Sequence, residues 1–295
     1  MKILVFGSTN IDHNYQMEHI ARPKETVTSR GYEIHPGGKG LNQAIAFAKT
    51  GQHVYLAAVV GNDAGMLLDV MEKYDVDTRY LRKINAPNGH AIIQIDENGE
   101  NSIFLYPGTN NSITHEYVDR VLNGFEKGDF IILQNEINRQ DYIIDKAYEK
   151  GMVILMNPSP CDDSLKALPL EKVSYFFINE VEGAILTGES DPEKILDRMN
   201  ELYPESRVIL TLGAEGSRFR YKDQYCSQAI FPVKAIDTVG AGDTFMGYFS
   251  YGLSQGMSPA ECLLLATKAS SITVTRKGAA DSIPTLEEIK ERYPD

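Results

Sequence analysis

Short apolar runs occur along the chain, with longer mixed segments between them. The runs cover residues 3–6, 54–60, 130–133, 152–156, 175–178 and 208–210. Because they do not alternate between apolar and polar positions, they are typical of strands that are buried on both faces. Segments of helical length lie between many of them, at 41–49, 64–74, 116–122, 141–150 and 180–186. This order predicts an α/β fold, with a doubly wound, mostly parallel sheet and helices on both faces.

Two segments interrupt this alternation. Residues 12–35 follow the first strand without a clear helical period, and residues 89–106 form two alternating runs around Glu97-Asn98-Gly99. Such a turn between alternating runs is a hairpin signal. We interpret both segments as strands of a small added sheet; the alternative is a pair of ordinary surface loops.

Helix ends and the last third of the chain complete the pattern. Gly51, Gly151 and Gly188 stand where helix C-caps are expected. Helical patterns then cover 244–253, 259–274 and 285–292.

Composition narrows the class of protein. Of the 295 residues, 42% are hydrophobic, which is enough for a sizeable core, and the net charge is −12. An acidic chain argues against nucleic acid as a partner, since the phosphate backbone requires a basic surface. The negative net charge does not exclude a nucleotide as a ligand, because a nucleotide is bound at one local site and does not require a basic surface.

Cysteine usage and hydropathy suggest the compartment. The three cysteines are odd in number and widely spaced, so a disulfide framework is not expected and a cytoplasmic location fits better. The first residues lack the basic and apolar regions of a signal peptide, and no apolar run reaches the roughly 18 residues of a membrane span. We therefore expect neither feature.

The sharpest chemical motif is Asp237-Thr-Val-Gly-Ala-Gly-Asp243, which opens a helix-length apolar segment. Gly240, Ala241 and Gly242 leave the backbone exposed, and N–H groups at a helix start attract anions such as phosphate. An acidic residue is out of place in a site that only holds phosphate. Asp243 makes sense as a base that takes a proton from an alcohol attacking a phosphoryl group. The alternative is a helix-capping Asp beside a glycine turn.

Other nucleotide-binding and metal-binding signatures are missing. The sequence contains no GxxxxGK[ST] and no HExxH, and the motif around Asp243 lacks GxGxxG spacing. The six histidines are scattered, so each is interpreted as structural or exposed.

A second glycine-rich motif, Pro36-Gly-Gly-Lys-Gly-Leu-Asn42, precedes the helix at 41–49. Its glycines would let a ligand approach the backbone, and Lys39 and Asn42 offer hydrogen-bond donors. Asn10 and Asp12 follow the first strand at its carboxyl end, where ligands of open α/β sheets bind. These side chains suit the hydroxyl groups of a sugar. The alternative is a glycine-rich turn with a solvated lysine.

Seven short segments occur in the order typical of one family. They are GSTNID at 7–12, PGGKGLNQA at 36–44, NPSP at 157–160, INEVE at 178–182, TLGAEG at 211–216, DTVGAGDTFMG at 237–247 and VTRKGA at 274–279. Together they resemble the ribokinase family of carbohydrate kinases over nearly the whole chain. The resemblance implies one α/β domain over 1–295, with a small β-sheet lid inserted at about 12–35 and 89–106. It also implies a homodimer formed through the lid.

The resemblance assigns roles residue by residue. Asp243 matches the catalytic base, and Gly240, Ala241 and Gly242 match the anion hole. The positions that match sugar-binding residues, besides Asp243, are Asn10, Asp12, Gly38, Lys39, Asn42 and Glu136. Those that match the ATP site are Asn179, Gly242, Thr267 and the loop Thr211, Leu212, Gly213, Ala214, Glu215 and Gly216.

The resemblance also implies two cations. Glu182 is linked to Mg²⁺, acting indirectly. The K⁺ positions, most of which would act through backbone carbonyls, are Asp237, Val239, Thr273, Arg276, Gly278 and Ser282.

The implied activity is transfer of the γ-phosphoryl group of ATP to the primary hydroxyl of a small sugar, with D-ribose giving ribose 5-phosphate. Leu41, Gly240 and Met246 differ from residues common in the family, which leaves the sugar open. The alternatives are the same chemistry on deoxyribose, fructose, another pentose or a nucleoside, and a sugar-binding protein without catalysis.

Overall fold

The apolar runs become the central strands of a large sheet in a computed structural model of the chain, which describes residues 1–294. The strands are β1 (Ile3–Phe6), β2 (Asn10–Gln16), β3 (Gly31–Gly37), β4 (Val54–Ala57), β5 (Val59–Val60), β6 (Arg82–Lys83), β7 (Gly89–Ile95), β8 (Asn101–Tyr106), β9 (Phe130–Gln134), β10 (Val153–Asn157), β11 (Tyr175–Asn179), β12 (Arg207–Thr211), β13 (Ser217–Tyr221) and β14 (Gln224–Gln228). The α-helices are α1 (Lys39–Ala48), α2 (Gly65–Lys73), α3 (His115–Leu122), α4 (Gln140–Glu149), α5 (Glu180–Thr187), α6 (Pro192–Leu202), α7 (Ala241–Ser254), α8 (Pro259–Thr273) and α9 (Leu286–Arg292).

The large sheet has the strand order β14-β13-β12-β11-β10-β9-β1-β4. The strands from β12 to β4 in this order are parallel, and β13 and β14 add an antiparallel edge. Side chains that alternate along β1 enter two separate cores: Ile3 and Val5 pack with α1, α7 and α8, whereas Leu4 and Phe6 pack with α3, α4 and α6. The predicted fold class, with helices on both faces of a mostly parallel sheet, is confirmed.

The two irregular segments form a second, smaller sheet with the order β3-β2-β7-β8. Strands β7 and β8 are antiparallel, and Gly99 takes a positive φ of 82° in the turn between them, as the hairpin signal predicted. Residues 17–30 connect β2 and β3 without strand structure. The second sheet thus contains both predicted segments.

Three parts of the chain differ from the expectation. The run 54–60 divides at Ala58, because β4 joins the large sheet while β5 pairs with β6. The hairpin β13–β14 and helix α6 were not predicted. Helix α6 does carry start signals: the Asp191 side chain accepts from the N–H groups of Glu193 and Lys194, and Pro192 follows directly.

The predicted C-cap glycines Gly51, Gly151 and Gly188 all have positive φ. Cys161, Cys226 and Cys262 are free thiols, and the cytoplasmic location inferred from them stays a prediction. Within residues 1–294, no helix has the length and apolar character needed to cross a bilayer.

Candidate active site

The predicted site residues gather at one edge of the large sheet. Because β1, β9, β11 and β12 are parallel, their carboxyl ends meet there. Asn179 and Thr211 end β11 and β12, and Glu136 lies just beyond β9. Helices α1 and α7, which begin near Lys39 and Asp243, pack against each other beside this edge.

The glycines of the 36–42 motif serve chain packing. A Cβ on Gly38 would lie 2.8 Å from the Asn10 nitrogen, and one on Gly40 would lie 2.6 Å from the Ser8 nitrogen. Gly38 also has a φ of 94°, which favours glycine. At Gly38 and Gly40 the missing side chains make room for the segment that follows β1, and the approach of a ligand to these glycines stays a prediction. This close packing brings the first turn of α1 against residues 8–10.

Lys39 lies among carboxylates. Its Nζ is 3.8 Å from Glu136 Oε1. Burial lowers the pKa of the Lys39 ammonium, but the charges of Glu136, Asp243, Glu182 and Asp12 oppose this and raise the pKa above its usual value. Lys39 is therefore not a freely solvated lysine: its side chain is 31% exposed, it pairs with Glu136, and the charges of Asp243, Glu182 and Asp12 also act on it.

Glu136 is fixed from two sides. Its Oε2 accepts hydrogen bonds from the Ser8 hydroxyl and, at 3.2 Å, from the Lys39 backbone N–H. The side chain is only 8% exposed. The carboxylate is thus pre-positioned at the end of β9 and joins the segment after β1 to the start of α1.

Asn10 is held by a residue that the sequence analysis missed. Asn110 donates to Asn10 Oδ1 at 2.7 Å and accepts from the Thr9 N–H at 3.1 Å. A cleft of about 250 Å³ opens here, and its lining includes Asn10, Glu136 and Tyr106 of β8. The small sheet therefore forms part of the wall of the candidate sugar site.

Asp12 lies on β2, opposite His35 of β3. Burial raises the pKa of its carboxyl to about 7, and the charge of Glu136 adds to this rise. His35 and Lys39 oppose the shift, while Asp243 reinforces it. Asp12 is therefore poised to change protonation near neutral pH.

Asp243 lies in the first turn of α7, but its carboxylate bonds to α1. Oδ2 accepts from Asn42 Nδ2 at 3.1 Å, and Oδ1 accepts from Gln43 Nε2 at 2.9 Å. Burial raises the pKa of Asp243, while Lys39, Gln43 and Asn42 favour the ionised form. This geometry contradicts the capping interpretation, since the carboxylate does not bond to the N–H groups of its own helix.

Free backbone N–H groups lie next to this carboxylate. Helix α7 begins after Gly240, which has a φ of 75°. The Ala241 N–H donates to the Thr238 carbonyl at 3.2 Å, whereas those of Gly242 and Asp243 have no backbone acceptor within residues 1–294. Unpaired N–H groups at a helix start attract anions.

Asn179 and Glu182 bond to each other. The Glu182 N–H donates to Asn179 Oδ1 at 2.8 Å, and the Asn179 N–H donates to Glu182 Oε2 at 3.0 Å, a capping box at the start of α5. Burial raises the pKa of Glu182, against hydrogen bonds that include the Asn179 N–H and against the charge of Lys39. Through Lys39, Glu182 is electrostatically linked to the candidate sugar residues.

In the loop from Thr211 to Gly216, residues 213–215 are exposed and form a single 3₁₀ turn, whereas Leu212 and Gly216 are buried. Gly216 has a φ of 93°, and a Cβ there would lie 2.2 Å from the Gln228 carbonyl oxygen. Thr267 lies within α8, where its buried hydroxyl donates to the Leu263 carbonyl at 2.8 Å. The predicted nucleotide residues thus offer backbone and methyl groups more than free polar side chains.

The predicted K⁺ residues lie beside Gly240 on two linked loops and, in the case of Thr273, at the end of α8. Asp237 accepts from the Val239 N–H at 3.0 Å and from the Gly278 N–H at 2.9 Å. A Cβ on Gly240 would lie 3.1 Å from Ala279 Cα, so the second loop supports the start of α7.

Three further predicted residues complete this region. Arg276 forms an ion pair with Glu288 at 2.6 Å and donates to the Ser282 carbonyl at 3.5 Å. Thr273 donates to the Thr244 hydroxyl at 3.1 Å and joins α8 to α7. Among residues 1–294, no group of three or more His, Cys, Asp or Glu side chains could hold a metal ion.

Sequence reasoning also missed Ser8, Gln43 and Gln134. Gln43 directly follows the second glycine-rich motif and lies within the family segment PGGKGLNQA at 36–44. Its position there is the signal that could have identified it, whereas nothing in the sequence around Gln134 indicates a role.

Comparisons with known proteins agree with this arrangement. A family model described as pfkB family carbohydrate kinase matches residues 1–286. The ribokinase of Staphylococcus aureus (strain COL) is 34% identical, over 98% of this chain and 99% of that protein. The deoxyribokinase of Salmonella typhi is 30% identical, over 99% and 98% respectively. The structure of Arabidopsis thaliana ribokinase complexed with ribose and ATP is 26% identical with a TM-score of 0.86, over 98% of this chain and 97% of that one.

Proposed function

The chain belongs to the pfkB family of carbohydrate kinases, and on that premise we propose that this ATP-dependent sugar kinase phosphorylates D-ribose at its 5-hydroxyl. The observation that carries the proposal is the convergence of Asp12, Lys39 and Glu136 with Asp243 at the start of α7. The relatives named ribokinase support the choice of sugar.

The sugar would bind between the small sheet and α1. Asp12 and Glu136 supply carboxylate oxygens, and Lys39 supplies an ammonium group. Asn42 Oδ1 is buried and has no hydrogen-bond partner within residues 1–294. Because unpaired buried polar atoms are costly, this oxygen suits a donating sugar hydroxyl.

Asp243 would act as the general base. It takes the proton of the 5-hydroxyl, the alcohol oxygen attacks the γ-phosphorus of ATP, and the bond to the β–γ bridging oxygen breaks to release ADP. The unpaired N–H groups of Gly242 and Asp243 point to the place where phosphoryl charge develops. The ammonium of Lys39 favours the ionised forms of Asp12, Glu182 and Asp243, against the burial that raises their pKa values.

The residues fit the two expected cations in different ways. Mg²⁺ often binds through substrate phosphates with few protein ligands, which agrees with an indirect role for Glu182. The loops at 237–239 and 273–282 offer backbone oxygens, which suit K⁺. When bound, both ions would add positive charge near the transferred phosphoryl group.

Two copies of the chain would also form a homodimer through the small sheet. Tyr32 and Ile34 of β3 and Phe104 and Tyr106 of β8 lie on one face and are between 39% and 54% exposed. Burial of such a face would stabilise a dimer. Sedimentation equilibrium should give twice the chain mass, and a monomer mass at micromolar concentration would contradict the dimer.

The first test is ADP release with MgATP across a sugar panel, with and without K⁺. We expect the highest kcat/KM with D-ribose and a rise with K⁺. Higher kcat/KM with 2-deoxy-D-ribose, the second candidate because of the deoxyribokinase relatives, would keep Asp243 and change the acceptor. Sugar binding without turnover on any acceptor would support the non-catalytic alternative.

A further inference from the structure

A chain of buried side-chain amides ends on the candidate base. Gln134 Nε2 donates to Gln43 Oε1 at 2.7 Å, and Gln43 Nε2 donates to Asp243 Oδ1 at 2.9 Å. The three residues come from β9, α1 and α7, and their separation in sequence is 91 and 200 positions. The amides therefore connect the centre of the large sheet to the carboxylate.

The surroundings hold these amides in place. Gln134 has no exposed surface and Gln43 is 1% exposed. A Cβ on Gly7 would lie 2.0 Å from Gln134 Oε1 and 2.8 Å from Gly40 Cα. Because Gly7 leaves room both for the Gln134 amide and for Gly40, these amides are part of how the chain after β1 packs with β9 and α1.

Asn42 and Gln43 each donate one hydrogen bond to Asp243, but the two side chains differ in what their other polar atom contacts. Asn42 also carries the unpaired oxygen assigned to the sugar. Both polar atoms of Gln43 are already engaged, by Asp243 and by Gln134. Gln43 can therefore act on the reaction only through the carboxylate.

We propose that Gln43, supported by Gln134, is a positioning residue that orients the Asp243 carboxylate and keeps it ionised for proton transfer. The inference rests on the proposed role of Asp243 as the base. The two amides donate in the same direction, toward the carboxylate, so each strengthens the other. A charge-assisted hydrogen bond of this kind favours the ionised form.

Other charged groups act on Asp243 as well. Lys39 on α1 stabilises the ionised form, whereas Glu136 beyond β9 destabilises it. Asp12 on β2 also couples to Asp243. Since these groups are unchanged in a Gln43 variant, a change in the pH profile reports the loss of the amide.

The test is the pH dependence of the single-turnover rate of Gln43→Met, with MgATP and saturating D-ribose. Methionine keeps the length of the side chain and loses the donor. We expect roughly a tenfold loss on the acid limb of the profile that becomes smaller as pH rises, because Asp243 then ionises without help. The acid limb moves to higher pH, and the KM for ribose stays within about threefold of wild type.

Two further variants make the result specific. Gln134→Met should move the acid limb in the same direction by less. Gln140→Met removes another buried amide, which bonds to Asn135 and Ile137, and should leave the limb at its wild-type position. If Gln43→Met does not fold, as judged by circular dichroism, Gln134→Met alone decides.

The outcomes separate this inference from the proposed function. An unmoved acid limb in both Gln43→Met and Gln134→Met, with Asp243→Asn inactive, would overturn only the positioning role. Equal losses at all pH values would show a merely structural role for Gln43 and would also overturn the inference. A fully active Asp243→Asn would instead overturn the base assignment itself.

Discussion

The two sides of the candidate site are built from different groups. On the sugar side, the charged side chains of Asp12, Lys39, Glu136 and Asp243 lie close together, and the charge of Glu136 raises the pKa of the other three. On the nucleotide side, the exposed 3₁₀ turn at 213–215 includes Gly213 and Ala214, whose side chains are absent or small, so its backbone groups are accessible. Ligand binding through backbone groups survives most side-chain substitutions. Binding through a cluster of coupled charged side chains is disturbed when any one of them is replaced. The comparison teaches that catalysis and sugar selection should be far more sensitive to substitution than nucleotide binding.

The largest effect is expected from Asp243→Asn. The amide cannot accept the sugar proton as a base, so kcat should fall by at least roughly 10²-fold while the fold persists. Steady-state ADP release with D-ribose measures the loss, and circular dichroism checks folding. Near-wild-type turnover would contradict the assignment of Asp243 on the sugar side as the general base.

A smaller effect is expected from Asp12→Asn, which should raise the KM for ribose by roughly tenfold because a charged acceptor is lost. In the wild type, Asp12 becomes protonated below its pKa of about 7. The KM for ribose should therefore rise as pH falls below neutrality, and this rise should be absent in the variant. Initial rates over a series of pH values and ribose concentrations measure the KM for ribose and its pH dependence. An unchanged KM in Asp12→Asn would contradict the assignment of Asp12 to the sugar site.

The same substitution should stabilise the sugar-free protein. Burial raises the pKa of Asp12 from 3.8 to about 7, so between these values the folded state binds more protons than the unfolded state. Stability at this site therefore falls as pH rises through that window. Thermal unfolding of Asp12→Asn should give a Tm about 2 °C above wild type at pH values above the window, and no difference below it.

The smallest effect is expected from Thr267→Val on the nucleotide side. The Thr267 hydroxyl already donates to the Leu263 carbonyl, and valine keeps the methyl group that would flank a base. The KM for ATP should stay within about threefold of wild type. A much larger rise, measured at saturating ribose, would mean that the hydroxyl contacts the nucleotide and that the two sides are less different than proposed.

Much of the fold could be predicted because each element carries a local signal. The apolar runs at 3–6 and 130–133 could only be strands buried on both faces, and both lie at the centre of the large sheet. Helix α6 carries its Asp191 cap and Pro192 and was predictable in principle. The division at Ala58 was not, because apolar composition alone does not say which sheet a residue joins.

The sequence by itself predicted the chemistry that we propose for Asp243, since a carboxylate beside Gly240, Ala241 and Gly242 is a local pattern. Only the tertiary structure decided what acts on that carboxylate. Gln43 reaches the carboxylate, and Gln134 reaches Gln43, because α1, β9 and α7 pack together. The pKa of Asp12 likewise depends on its burial beside Glu136. Hydrogen bonds and desolvation depend on distances between residues remote in sequence, and the folded chain alone sets those distances.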